Sequence, residues 1–307
     1  MIEGSYIFGS KKVDIKKRFK YLGKKKLGDL LDKTGINFIY EAKENEDSLS
    51  LAIKVTKKIL KQIKSDVECV IFISQSHRSS IPPSGALLHS ETGLKKECAV
   101  FDLVQGCSSF PYALTMAINM INSKTFKNCL IISSEVYTKF IEKSNRSCAS
   151  IFSDASSAIF LNKNNIPKIL SSVFYTDGSG QDKLFKSHKN KIIMKGADVF
   201  NFTIKEVPLA VNKMLNSAKL NIDQIDMFFF HQASNIVLET LRKKLDIPKK
   251  KFFKNFSEIG NTVSSTIPIS LIQGKKNNLI KYNRPIMILG FGVGYSLSGG
   301  IFSFDKK

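Results

Sequence analysis

The chain has no tryptophan, four histidines and eight prolines in 307 residues, and its 26 acids are outnumbered by 47 lysines and arginines. No apolar stretch approaches the roughly 20 residues that span a bilayer, which excludes a helical membrane protein. The opening Met1–Tyr6 has neither a basic segment nor an apolar core, so no secretory signal is read there and a cytoplasmic location is expected. CxxC pairs are missing, and the five cysteines, Cys69, Cys98, Cys107, Cys129 and Cys148, are odd in number. That pattern suits reduced thiols rather than a disulfide framework. His77, His89, His188 and His231 do not cluster with cysteine or acid at ligand spacing, so no metal is expected.

What is present describes a globular protein. A hydrophobic share of 43% with 23 phenylalanines offsets the entropy of ordering. The formal charge of +21 is spread along the chain, with small clusters at Lys24–Lys26 and Lys249–Lys251. Such a field favours acidic partners. No zinc-finger spacing, RNP-like aromatic motif or basic heptad accompanies it, so nucleic-acid binding is not expected.

The chain repeats itself once. Asp66–Ser74 reads as a short buried strand, followed by a turn at Cys107, an amphipathic helix and a second buried strand over 128–135. Asp223–His231 is again a buried strand, followed by a turn at Glu258–Thr262, a helix and the strand Pro285–Gly290. Cys69 to Cys129 and Asp226 to Ile286 are both 60 residues, and the Cys107 and Asn261 turns lie 154 apart against 157 for the strands. After Cys107, Phe110, Ala113, Leu114, Ala117, Ile118 and Ile121 form one apolar helical face. Further helices are expected at 47–64, 203–219 and 235–245. Short apolar strands alternating with helices indicate a layered α/β protein whose sheets are covered on both faces. Two pseudo-equivalent halves, 1–165 and 166–307, would join near 162–168.

Three polar positions punctuate this pattern. Cys107 stands at a helix N-terminus, where free N–H groups and the helix dipole favour a thiolate nucleophile. His231 ends a buried strand, and Asn261 occupies in the second half the turn that Cys107 occupies in the first. If the halves meet about a pseudo-twofold, the three converge. Histidine and asparagine then offer N–H donors to a thioester oxygen while Cys107 holds an acyl group. The closing Gly290–Gly294 turn supplies backbone N–H groups for an oxyanion hole.

At these residues the chain resembles the ketoacyl synthase III family of the thiolase superfamily, over nearly its whole length. Asp102–Phe110 resembles the family's nucleophile motif, Phe152–Ala158 its FGDGAGA-like segment, and Met194–Phe200 the segment opening the second half's helix. His231–Ser234 resembles HQAN, Gly260–Thr262 resembles GNT, and Phe291–Gly294 with Gly299 and Gly300 the glycine-rich close. Lys33–Ile36 resembles an early RTGI.

The resemblance implies a thiolase-like fold, two pseudo-symmetric α/β halves in an αβαβα arrangement, and a homodimer. It implies that Cys107 takes an acyl group from an acyl-CoA or acyl-carrier donor. His231 and Asn261 would then support decarboxylation of malonyl-acyl carrier protein, with the N–H groups of Cys107 and Val293 as oxyanion hole. No cofactor beyond these substrates is implied. Arg146, Ser234, Lys33, Arg242, Lys243 and Lys244 fall at substrate or carrier positions, and Pro82 and Pro83 in a loop capping the acyl pocket across the dimer. Asp29 stands where a tryptophan commonly stacks on coenzyme A, and Ile236 where a carrier-docking arginine often sits, which points to an acylated carrier as donor. The alternative is an acyltransferase of the same fold that moves the acyl group to an amine or hydroxyl without decarboxylation. A cysteine hydrolase lacks its local signature here.

Overall fold

The computed structural model describes residues 2–306. Most of its strands form two mixed sheets, and two short two-stranded pairs, Lys11–Asp14 with Phe38–Glu41 and Leu184–Lys186 with Ile192–Met194, lie outside them. β1 (Glu3–Phe8), β2 (Cys69–Ile73), β3 (Ala99–Leu103), β4 (Asn128–Glu135) and β5 (Ala155–Asn162) make the first, in the order β1-β5-β4-β2-β3. β6 (Lys168–Thr176), β7 (Met227–Phe230), β8 (Pro285–Gly292) and β9 (Ser296–Ser303) make the second, in the order β7-β8-β9-β6. β2 is parallel to β3 and β4, whereas β5 and β1 run antiparallel. Likewise β7 and β8 are parallel, and β9 and β6 antiparallel. Matching β2 to β7 and β4 to β8 therefore also matches β5 to β9 and β1 to β6. The equal spacing seen in the sequence reflects a shared strand order, and the chain passes from one sheet to the other across 163–167.

Among the described residues, seven helices of nine or more residues cover these sheets: α1 (Gly23–Thr34), α2 (Ser48–Leu60), α3 (Ser84–Thr92), α4 (Ser109–Asn122), α5 (Gly196–Ala218), α6 (Asn235–Lys244) and α7 (Thr266–Lys276). Strand alternation sets the layers. Cys69, Ile71 and Ile73 of β2, with Met227 and Phe229 of β7, face a central core shared with Phe110, Leu114 and Ile118 of α4 and Ile267 and Leu271 of α7. Val70 and Phe72 point the other way, onto Leu49, Ala52 and Val55 of α2. Phe228 and Phe230 similarly meet Val207, Val211 and Met214 of α5. Helix, sheet, helices, sheet and helix follow one another, as expected.

Several boundaries differ. α2 stops at Leu60 instead of 64, because Gln62 N–H already turns back to the Ile59 carbonyl. α5 begins at Gly196, seven residues before the apolar periodicity; its first turn carries Asp198, an acid suited to a helix N-terminus. Pro208 lies inside α5 and cannot bond the Ile204 carbonyl. Lys244 Nζ takes that carbonyl instead at 2.9 Å. Among the described residues no helix is long and apolar enough to cross a membrane.

Candidate active site

β3 leads through Val104–Gly106 into α4. Gly106 adopts φ +54°, and a Cβ there would lie 2.4 Å from Gln75 Oε1 and 2.6 Å from Val293 Cγ1. Only glycine fits. Cys107 follows, 5% exposed. The end of β8 reaches this turn because two of its residues lack side chains. A Cβ on Gly290 would sit 2.5 Å from the Cys107 carbonyl oxygen, and one on Gly292 would sit 3.4 Å from Cys107 Sγ. Between them, Phe291 meets the His231 ring edge-on at 5.5 Å. The second half thus brings its histidine to the first half's cysteine.

His231 leaves β7 with its N–H on the Leu289 carbonyl. Its Nδ1 lies 2.7 Å from Thr266 Oγ1, and its Nε2 lies 3.5 Å from Asn261 Nδ2. Gln232 is fully buried and donates to the Phe230 and Phe253 carbonyls, which fixes the segment. The first half holds the Asn261 backbone: its N–H donates to the Ile151 carbonyl and its own carbonyl accepts from Ser153 N–H. Val263 N–H donates to Asn261 Oδ1 at 2.9 Å, leaving Nδ2 to face Ala233 O and the imidazole. Val263 does this at φ +55°, a strained conformation for a β-branched residue.

Burial dominates the electrostatics. It lowers His231 to about 3, against a carbonyl contact from Val263, so the imidazole is neutral. Burial and then the Glu135 charge push the Cys107 thiol up. The expected thiolate at the helix N-terminus is therefore corrected: desolvation outweighs the dipole, and the resting thiol keeps its proton. Glu135 itself is raised to about 7 by burial, although Gln75 N–H, Ser76 N–H and the hydroxyls of Ser76 and Ser264 all donate to it. A cavity of about 120 Å³ opens beside the cysteine turn, lined by Gln75, Tyr137, Phe140, Leu184, Ile192 and Val293 among others. A buried thiol, a neutral imidazole and a carboxamide brought together can exchange an acyl group and stabilise a thioester oxyanion.

Residues 101–178 match the family described as 3-oxoacyl-[acyl-carrier-protein (ACP)] synthase III, and residues 215–304 match that family's C-terminal part. A beta-ketoacyl-[acyl-carrier-protein] synthase III of Acholeplasma laidlawii is 30% identical over 275 residues, 88% of this chain and 87% of the relative. One from Lactococcus lactis subsp. cremoris is 29% identical over 84% of this chain and 85% of its own length. The crystal structure of a 3-oxoacyl-(acyl-carrier-protein) synthase III matches with a TM-score of 0.89 and 27% identity, over 98% of both chains. The structure of a 3-oxoacyl-(acyl-carrier protein) synthase from Burkholderia xenovorans gives 0.90 and 25%, over 99% of this chain and 93% of its own. The chain belongs to the 3-oxoacyl-ACP synthase III family. Its fold is the thiolase fold.

Within this synthase III frame the remaining expected residues lie as follows. Arg146 is exposed at the start of a single-turn helix. Lys33 is exposed in the last turn of α1, whose end packs on the start of α6 through Gly35 and Asn235. Ser234 is buried at the N-cap of α6 without a side-chain cap bond. Arg242 differs from expectation: its guanidinium is occupied by Glu239 and the Ile247 carbonyl. Lys244 is likewise occupied by Ile204, so Lys243 is the member of that trio left exposed and unpaired among the described residues. Pro82 and Pro83 are exposed and do not line the cavity within one chain. Sequence reasoning missed Glu135, Tyr137 and Thr266. Glu135 had a visible signal, a lone acid closing an apolar strand.

Proposed function

We propose that this chain is a decarboxylating condensing enzyme. Cys107 sulfur attacks the carbonyl of an acyl thioester; the donor's thiol leaves with the cysteine proton, and the acyl group stays on Cys107. Malonyl-acyl carrier protein then enters and its C–CO₂ bond breaks. The enolate oxygen is held by N–H groups of Asn261 and His231. The carbanion attacks acyl-Cys107, whose oxyanion accepts from the N–H groups of Cys107 and Val293. That attack forms the new C–C bond; collapse of the tetrahedral intermediate then breaks the C–S bond, and Cys107 leaves as a thiolate that regains a proton.

The observation that carries this reading is the meeting of Cys107, His231 and Asn261 in one buried place: Cys107 in the turn after β3, His231 at the end of β7 and Asn261 in the turn before α7. The donor is an acylated carrier protein in preference to acyl-CoA, supported by Asp29 in the stacking position and by the +21 charge against an acidic carrier. Arg146, Lys33, Ser234 and Lys243 contribute to holding the donor or carrier. The enzyme acts as a cytoplasmic homodimer, with the Pro82–Pro83 loop reaching the neighbouring subunit's acyl pocket; Ile81, 92% exposed, supports that role for the loop.

Intact-protein mass tests the first step: stoichiometric acylation by acetyl, branched, medium-chain and carrier-borne donors, absent in Cys107→Ala. CO₂ release on adding malonyl-carrier tests the second. Acylation without CO₂ would identify simple acyl transfer, and no labelling by any donor would overturn the assignment.

A further inference from the structure

Two serines outside the Cys-His-Asn set join the turn of Cys107 to the turn of Val293. Ser108 Oγ and Ser296 Oγ lie 2.6 Å apart, 188 positions apart in sequence, and both are buried. Ser108 Oγ is also 2.9 Å from the Gln105 carbonyl, and Ser296 Oγ 2.9 Å from the Val293 carbonyl. Two hydroxyl hydrogens serve three contacts. One hydrogen bridges the pair, and donation runs either from Ser108 through Ser296 to Val293 or from Ser296 through Ser108 to Gln105. Both directions tie the turns together. Ser298 Oγ adds a donor to the Ser108 carbonyl at 2.6 Å.

The β8–β9 hairpin is a segment that needs such a tie. Gly292, Gly294 and Tyr295 sit at φ +155°, +65° and +44°. A tyrosine in the left-handed region costs on the order of 1–3 kcal/mol and persists only where its surroundings impose it. On the outer side that constraint is visible. The Tyr295 ring stacks on Phe202 at 4.3 Å with 2° between planes, and a Cβ on Gly180 would lie 2.2 Å from it. Asp177 N–H also donates to the Tyr295 carbonyl. On the inner side, facing Cys107, the serine pair supplies the constraint.

We infer that Ser108 and Ser296 are positioning residues that set the spacing between the N–H groups of Cys107 and Val293. This rests on the condensing-enzyme reading, in which those two groups form the oxyanion hole. Such a hole acts through donors fixed before the charge develops, so a hairpin free to shift loses transition-state stabilisation without losing substrate affinity. Complete loss of one oxyanion donor lowers turnover by about 10²–10³. A displaced donor keeps part of its effect, and about tenfold is expected here.

The test compares Ser108→Ala, Ser296→Ala, the double variant and Ser296→Thr in condensation with malonyl-acyl carrier protein, with Tm measured on each. Each alanine variant is expected to lower kcat about tenfold with KM for malonyl-carrier unchanged. The double variant should lose no more than either single one, because both break one bridge. Ser296→Thr, which keeps the hydroxyl, should restore kcat. Multiplying losses in the double variant, losses expressed in KM, or near-native kcat in both single variants would each overturn the inference. If the double variant does not fold, the single variants and the threonine rescue still decide. A wild-type protein that forms no acyl-Cys107 and releases no CO₂ would overturn the reading underneath instead.

Discussion

Cys107 sits where two local effects oppose. A partly buried helix terminus offers up to about 2 kcal/mol to a charge, roughly 1.5 pH units. Burial and the Glu135 charge act the other way and prevail. With His231 held neutral at about 3, no thiolate–imidazolium pair forms at neutral pH. Alkylation of Cys107 by iodoacetamide, followed by intact mass, should therefore rise about tenfold per pH unit from pH 7 to 9.5 without a plateau. A plateau near neutrality would show that the thiol ionises in the resting state. Cys107, His231 and Asn261 were legible in the sequence because each interrupts an apolar run with a polar turn. Glu135 stood out only as a lone acid closing an apolar strand; its role was not legible, since it depends on donors at Gln75, Ser76 and Ser264, 59 to 129 positions away. Ser296 was hidden for the same reason.

Among the elements, the parallel central strands were legible and their antiparallel neighbours were not. β2, β7 and β8 are nearly continuous apolar runs and β4 carries one over Cys129–Ile132, all buried on both faces. β5 and β9 are just as buried but contain Ser156 and Ser157, or Ser298, Gly299 and Gly300, which read as loop. Their small side chains face the close approach of turns from the opposite half, as Ser157 Oγ to Ser265 Oγ and Ser298 Oγ to the Ser108 carbonyl illustrate. In α6 the sequence shows three consecutive basic residues, and the structure divides their work. Arg242 and Lys244 bond within the fold, and Lys243 faces outward. Lys243→Glu should raise the apparent KM for acylated carrier several-fold while leaving Tm unchanged. Arg242→Glu should instead lower stability by about 1–3 kcal/mol, because it sets two acids side by side and frees the Ile247 carbonyl. Unchanged carrier affinity in Lys243→Glu would remove α6 from the docking surface.

For the whole molecule, the two halves are not equal, and the inequality predicts assembly. The first sheet ends on β3, a strand without a counterpart in the second sheet's order. β3 pairs with β2 on one side only, so its other edge presents open backbone donors and acceptors, a template for another strand. Along and just past that edge Phe101 is 43% exposed and Val104 51%. Large apolar side chains gathered at a sheet edge mark a contact surface. A second copy pairing edge to edge about a twofold would join the two first sheets and cover these groups. It would also place a second subunit next to each Cys107 turn, which follows β3 by three residues. Sedimentation of the wild-type protein at micromolar concentration should give a dimer. Phe101→Lys should shift it toward monomer by burying a charge at the seam, and condensation should fall with the dimer fraction. A wild-type monomer, or a Phe101→Lys dimer with full activity, would place the second subunit elsewhere or nowhere.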